Sequence, residues 1–237
     1  MIERGDSRRW YQGPIFSYHL DNAQITVNVA HSSWAIRGMA TAKAVLGVFK
    51  EFRKTASAGL HVLDFGAGSW LRYVTHLRTG LPSPNVYAVE YDEAFRDEAK
   101  EVRDTHEPHV TLWTPSQFQK KDRCFDLIIA INVLNTIPEE SHQRAVFKVL
   151  ADHLNPLGKL FVYQRIWAKG ENHEGSIPYG DGWIVPQSNH PHHTYHGKTG
   201  ARWFADRAEE HRLRVMPLAT TITSSNTFIR AWERPFD

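Results

Sequence analysis

Residues 60–68 read LHVLDFGAG. The first six are mostly apolar and end abruptly at Gly66-Ala67-Gly68, so the pattern predicts a buried strand entering a tight turn. Glycines at such a turn let a ligand approach the backbone closely. A helix is expected next, through Arg78. Strand, glycine turn and helix in that order form the opening unit of an α/β sheet whose ligand sits at the carboxyl ends of its strands.

Downstream, NVYAVE at 85–90 reads as a second strand, Asp92 is placed to cap a charged helix through Arg103, and HVTLW is a weaker third strand. The clearest strand is FDLIIAIN at 125–132, because consecutive aliphatic residues mark a strand covered on both faces, as in a parallel sheet. Pro138-Glu139-Glu140 starts a helix carrying Val146, Phe147, Val149, Leu150 and Leu154, expected to end at Asn155-Pro156, and KLFVYQRIW after Gly158 is a further strand. The segment from about 169 to 199 is expected to be irregular, and its length suggests a function. A helix near 200–212 precedes two β-like runs, VMPLATTI and TFIRAWER, expected to pair as a hairpin across Ser224-Ser225-Asn226. Upstream, residues 33–54 place Ala44, Val45, Val48, Phe49 and Phe52 at helical spacing. The expectation is an α/β, doubly wound, mostly parallel seven-stranded sheet with helices on both faces and a C-terminal antiparallel hairpin at its edge. Residues 1–32 would be an N-terminal arm and 33–237 a single domain, with 169–199 a lid on the substrate side.

Composition narrows the function classes. The 237 residues, 41% of them hydrophobic, suffice for one buried core. A formal charge of +2 permits nucleic acid without indicating it. The single cysteine, Cys124, excludes an internal disulfide framework and a multi-cysteine zinc site, and a cytoplasmic location is expected. The opening MIERGDSRRWYQGP is charged where a secretory signal is apolar, and no run approaches the ~20 apolar residues of a membrane span. No membrane partner is expected, and nothing indicates an oligomeric state.

Asp64-Phe65-Gly66-Ala67-Gly68 resembles the first motif of class I S-adenosylmethionine-dependent methyltransferases, with NVYAVE, FDLIIAINVLNTIP and LADHLNPLGKLFVY similar to later segments of that family. The likeness spans about residues 60–165 and implies S-adenosyl-L-methionine as cofactor. It implies that Asp64, Gly66, Ala67 and Gly68 hold the cofactor's amino-acid part; Glu90, at the end of the second strand, is placed to accept hydrogen bonds from the ribose hydroxyls, and Tyr91 after it either packs on adenine or is an exposed aromatic after a strand. Ser116 and Asn132 join this cofactor-side set by position. A dinucleotide fingerprint would need a third glycine where Leu71 stands, which disfavours nicotinamide. The family's usual acid after the third strand is replaced by Thr114-Pro115-Ser116-Gln117. Neither an Asn/Asp-Pro-Pro-aromatic tetrad nor a Pro-Cys nucleophile is present, so adenine N6 and cytosine C5 methylation by those routes are not expected.

Asn132 and Asn135 have two readings of equal weight: orienting a substrate, or capping the strand–helix turn. His190, His192, His193 and His196 crowd the lid together with His173, and at least one is a candidate base, since neutral imidazole accepts a proton near neutral pH. Divalent metal binding with Asp181, or a solvated lid with no catalytic role, are the alternatives, and the site is assigned no metal. Tyr179, Trp183 and Tyr195 offer aromatic surface for a planar substrate or anchor the loop, and Trp167 flanks them. Arg8-Arg9-Trp10-Tyr11 reads as a solvated arm before it reads as a nucleic-acid contact. The leading expectation is methyl transfer to oxygen or nitrogen of a small molecule. Modification of a nucleotide or nucleic acid, and a non-catalytic cofactor-binding subunit, are its rivals.

Overall fold

The computed structural model describes residues 15–20, 23–28, 49, 52–54, 56–68, 71–90, 93–137, 140–165, 174–186, 194–197, 200–216 and 227–235. Strands β1 (Ile15–Leu20) and β2 (Ala23–Asn28) pair antiparallel. Then come β3 (His61–Phe65), α1 (Arg72–Gly80), β4 (Asn85–Val89), α2 (Glu93–His106), β5 (Thr111–Trp113), α3 (Pro115–Gln119) and β6 (Phe125–Ile131). A 3-10 turn at Leu134–Thr136 leads into α4 (Glu140–Asp152) and β7 (Leu154–Arg165). Three short strands follow, β8 (Ile177–Tyr179), β9 (Gly182–Val185) and β10 (Thr194–Gly197), then α5 (Ala201–Glu210), β11 (Arg214–Val215) and β12 (Thr227–Glu233).

The main sheet has seven strands in the order β11-β12-β7-β6-β3-β4-β5. Pairings from β5 across to β7 are parallel, while β12 is antiparallel to both β7 and β11, as expected of the terminal hairpin. The chain moves outward from β3 to β4 and β5, then returns to place β6 on the other side of β3. The order therefore reverses between β3 and β6, the kind of switch point at whose carboxyl side open α/β sheets bind ligands.

Alternate residues of each central strand pack on opposite faces. Val62, Ile129 and Phe161 join Val74 and Leu77 of α1, together with the helical residues Phe49 and Phe52. Leu63, Ile128 and Val162 join Val146, Phe147 and Leu150 of α4 and Phe204 of α5. Two hydrophobic layers thus enclose the sheet, which is why its strands read as unbroken aliphatic runs.

Three expectations change. The segment 169–199 is not simply irregular, because β8, β9 and β10 form an antiparallel sheet of their own. Helix α4 ends at Asp152, short of the expected Asn155-Pro156, and those two residues already belong to β7. Arg234 explains the early stop, since its guanidinium donates to the carbonyls of Ala151, Asp152 and Leu154 at 3.3, 3.4 and 2.9 Å. A cation there satisfies the helix's last acceptors and its dipole. Finally, α3 was unexpected, yet Thr114 and Gln117 form a reciprocal capping box ahead of it, with Pro115 in its first turn. Most of the helix expected over 33–54, Asp92 as a cap, and most of VMPLATTI lie outside the described residues.

Candidate active site at the carboxyl rim of the sheet

The loop after β3 is fixed from the neighbouring strand. The N–H groups of Gly66 and Ala67 both donate to the Val89 carbonyl, at 2.9 and 3.1 Å, and the Gly68 N–H donates to Glu90 Oε2 at 2.6 Å. Gly66 and Gly68 have φ of 78° and 70°, left-handed conformations that disfavour a side chain. A Cβ on Gly66 would lie 2.6 Å from Val133 Cγ2, whereas one on Gly68 would meet nothing within 4 Å. Gly66 thus joins the β3 loop to the turn after β6, and Gly68 borders open space. Leu71, where a nucleotide fingerprint has its third glycine, also adopts positive φ, 45°, as the N-cap of α1.

Two acids stand at this loop. Asp64 is 1% exposed and Glu90 3%. Burial first, and then the nearby Glu90 charge, push the Asp64 carboxyl up to about 8. Its Oδ2 atom has no hydrogen-bond partner among the described residues. A buried, unpartnered carboxylate oxygen is costly unless a cation or donor arrives, so this corner is built to receive one.

On the other side of β3, β6 ends in a turn that carries neutral polar residues. Asn132 has φ 52° and its N–H donates to the Tyr163 carbonyl at 2.8 Å, which ties the turn to the end of β7. Thr136 Oγ1 donates to the Val133 carbonyl at 2.6 Å, and Gln143 Nε2 to the Ile137 carbonyl at 2.7 Å, holding the turn against α4. Asn132, Asn135, Thr136 and Gln164 are all buried. Strand β10 packs on the 3-10 turn and also touches β2, so the three-stranded sheet stands beside the rim.

The structure brings Asp64, Gly66, Ala67, Gly68, Glu90, Asn132 and Asn135 to one rim. Ser116 belongs to α3, after β5 at the edge of the sheet. Tyr91, His190, His192 and His193 lie outside the described residues, as do His173 and Trp167. His196 is described: it is buried on β10, opposite Trp183 of β9 and therefore on the same face of the small sheet. Of the two readings of the aromatic residues, stacking surface or loop anchor, the burial of Tyr195 bears on the second. Tyr195 is fully buried, its hydroxyl donates to Asp181 Oδ1 at 2.5 Å, and its ring meets Tyr179 edge-on, so it anchors the small sheet and presents no open face. Trp183 is buried as well, and Tyr179 is half-buried. Gln164 and His142, both buried, were missed. The available signal was a polar residue inside an otherwise apolar strand or helix pattern. Among the described residues no group of three His, Cys, Asp or Glu side chains is arranged to hold a metal ion. No helix among them is long and apolar enough to cross a membrane.

Residues 63–162 match the family described as a methyltransferase domain. No curated protein matches the chain. Among solved structures, an S-adenosylmethionine-dependent methyltransferase from Clostridium acetobutylicum superposes with a TM-score of 0.62 at 13% identity, over 81% of this chain and 91% of that one. The N-methyltransferase NodS from Bradyrhizobium japonicum, in complex with S-adenosyl-L-homocysteine, gives 0.58 at 13%, over 86% and 92%. A TehB-like methyltransferase from Corynebacterium glutamicum gives 0.57 at 17%, over 87% and 97%. At such identities the structural likeness speaks for the fold. The domain match speaks for a methyltransferase domain over residues 63–162, and the two together for the class I, Rossmann-like fold of S-adenosylmethionine-dependent methyltransferases. The rim fits that cofactor. Asp64 offers an orphaned acceptor to a cationic ligand, Glu90 a buried carboxylate for hydroxyl groups, and Gly68 open space beside both.

Proposed function

We propose that this enzyme methylates an oxygen or nitrogen atom of a small molecule. The observation that carries the reading is the packing of β10 on the Leu134–Thr136 turn. An acceptor approaching Asn132 and Asn135 meets a wall formed by the chain's own small sheet, an arrangement suited to a compact acceptor more than to an open polymer groove. When bound, the cofactor supplies an electrophilic methyl group, so the protein's work is positioning, exclusion of water and proton handling. Asp64 and Glu90 bind and orient from the β3–β4 side. Asn132 and Asn135 orient the acceptor with paired donors and acceptors. His196, on the strand beside the turn, takes the proton that the acceptor loses onto its imidazole. A cytoplasmic site of action is part of this reading and rests on the single cysteine.

The test is incubation with methyl-labelled S-adenosylmethionine and a cell extract separated into small-molecule, nucleic-acid and protein fractions. Label recovered in the small-molecule fraction supports the proposal. Label confined to nucleic acid or protein refutes it and leaves methyl transfer itself intact.

A further inference from the structure

The buried polar side chains of the rim divide by charge. On the β3–β4 side both are acids, Asp64 and Glu90. On the β6–β7 side and on β10 they are Asn132, Asn135, Thr136, Gln164 and His196, all of them amide, hydroxyl or imidazole groups. These two halves adjoin, because β3 and β6 are neighbours and Val133 packs on Gly66. The wall of β10 closes the neutral half, with His196 in the same cross-strand row as Trp183.

We infer that the methyl acceptor is an uncharged, hydrogen-bonding molecule seated between the turn after β6 and the β8–β10 sheet, with Asn135 and His196 among its contacts. The inference rests on the small-molecule reading above and narrows its acceptor class. Carboxamides, hydroxyls and an imidazole offer donors and acceptors, which matches hydroxyl, amide or heteroaryl groups. They do not repay the desolvation of a full charge, for which a buried anion needs a guanidinium or ammonium partner. Arg207 is the one buried cation among the described residues. It lies on α5, held by Glu210 at 2.5 Å and near Glu140 at 3.8 Å, so it is committed to a helix–helix contact. The charge division also separates the tasks: the acidic half receives the cationic cofactor, and the neutral half receives a partner that does not compete for it.

The experiment uses the full chain saturated with S-adenosyl-L-homocysteine and four probes of similar size: benzamide, phenol, benzoate and phenyl phosphate. Saturation-transfer NMR reports which of them contact the protein. Benzamide and phenol are expected to bind, and their signal is expected to drop several-fold in Asn135→Asp and in His196→Gln, with retained S-adenosyl-L-homocysteine binding as the check on folding. Should either variant fail that check, the wild-type comparison of neutral against anionic probes still decides. Benzoate or phenyl phosphate binding as well as the neutral probes, or no probe binding at all, overturns the inference. Because the readout needs no turnover, it is separate from the labelled-methyl experiment. A labelled small-molecule anion would overturn this inference alone, and label found only in a polymer would strike the earlier proposal.

Discussion

Replacing Asp64 by asparagine keeps the shape of the side chain and removes its titration. In the ligand-free protein the carboxyl is raised from 3.8 to about 8, first by burial and then by Glu90, so the folded state holds a proton that the unfolded chain has released across most of that window. A raised folded-state value means the proton stabilises the fold. That contribution is complete below 3.8 and disappears as the pH climbs through about 8. Between these limits the wild type loses about 1.4 kcal/mol of unfolding free energy per pH unit from this group, or about 3 kcal/mol between about pH 5.5 and about pH 7.5. Asp64→Asn lacks the loss. Urea unfolding of both proteins without cofactor, across that range, should show their stability difference changing by about this amount in favour of the variant as pH rises, while titrating groups not coupled to Asp64 cancel. The same chemistry predicts that S-adenosylmethionine, whose sulfonium is cationic, binds the wild type more tightly at the upper end of the window, with a proton released on binding. Parallel stability curves for the two proteins would show that Asp64 is already ionised, and the orphaned-carboxyl account of this corner would fall.

Glu90→Ala should weaken cofactor binding by roughly 1 to 3 kcal/mol in calorimetry through lost hydrogen bonds to a charged acceptor, and unchanged affinity would remove Glu90 from the site. Gly66→Ala adds a strained left-handed conformation, roughly 1 to 2 kcal/mol, to a collision with Val133. The double variant Gly66→Ala/Val133→Ala should recover part of the lost thermal stability, and strict additivity would mean that the two residues do not touch. Arg234→Ala should lower stability by roughly 1 to 2 kcal/mol in urea unfolding, with Arg234→Lys intermediate, because the helix C-terminus loses donors and a cation.

What could be read from the chain depends on how many residues each element uses to declare itself. Phe125–Ile131 was plain because seven residues in a row are buried or half-buried, with neighbouring side chains on opposite layers. The Asp64–Gly68 loop was equally plain, since a carboxylate ahead of two glycines at a strand end combines several constraints in five residues. IPY, GWIV and TYHG were not, because three or four residues are too few to show a period of two, and GWIV is buried on both faces. The capping box Thr114–Gln117 is legible in its Thr-Pro-Ser-Gln pattern, but the five-residue helix behind it is too short to show a helical period. The lid histidines looked equivalent in sequence. Only β-pairing distinguishes His196, by turning it to the face shared with Trp183.

The position of β12 bears on how the molecule is made. It is the most C-terminal strand among the described residues, yet it is inserted between β7 and β11, and Arg234 just beyond it is what seals α4. On the ribosome, β3 through β7 emerge well before β12, so β7 waits with one edge unpaired and α4 with open carbonyls. Such an edge is a template for foreign strands. Nascent chains stalled between about residue 190 and residue 225 should therefore be the aggregation-prone and chaperone-bound population, and bound cofactor should protect them little until the closing strand arrives.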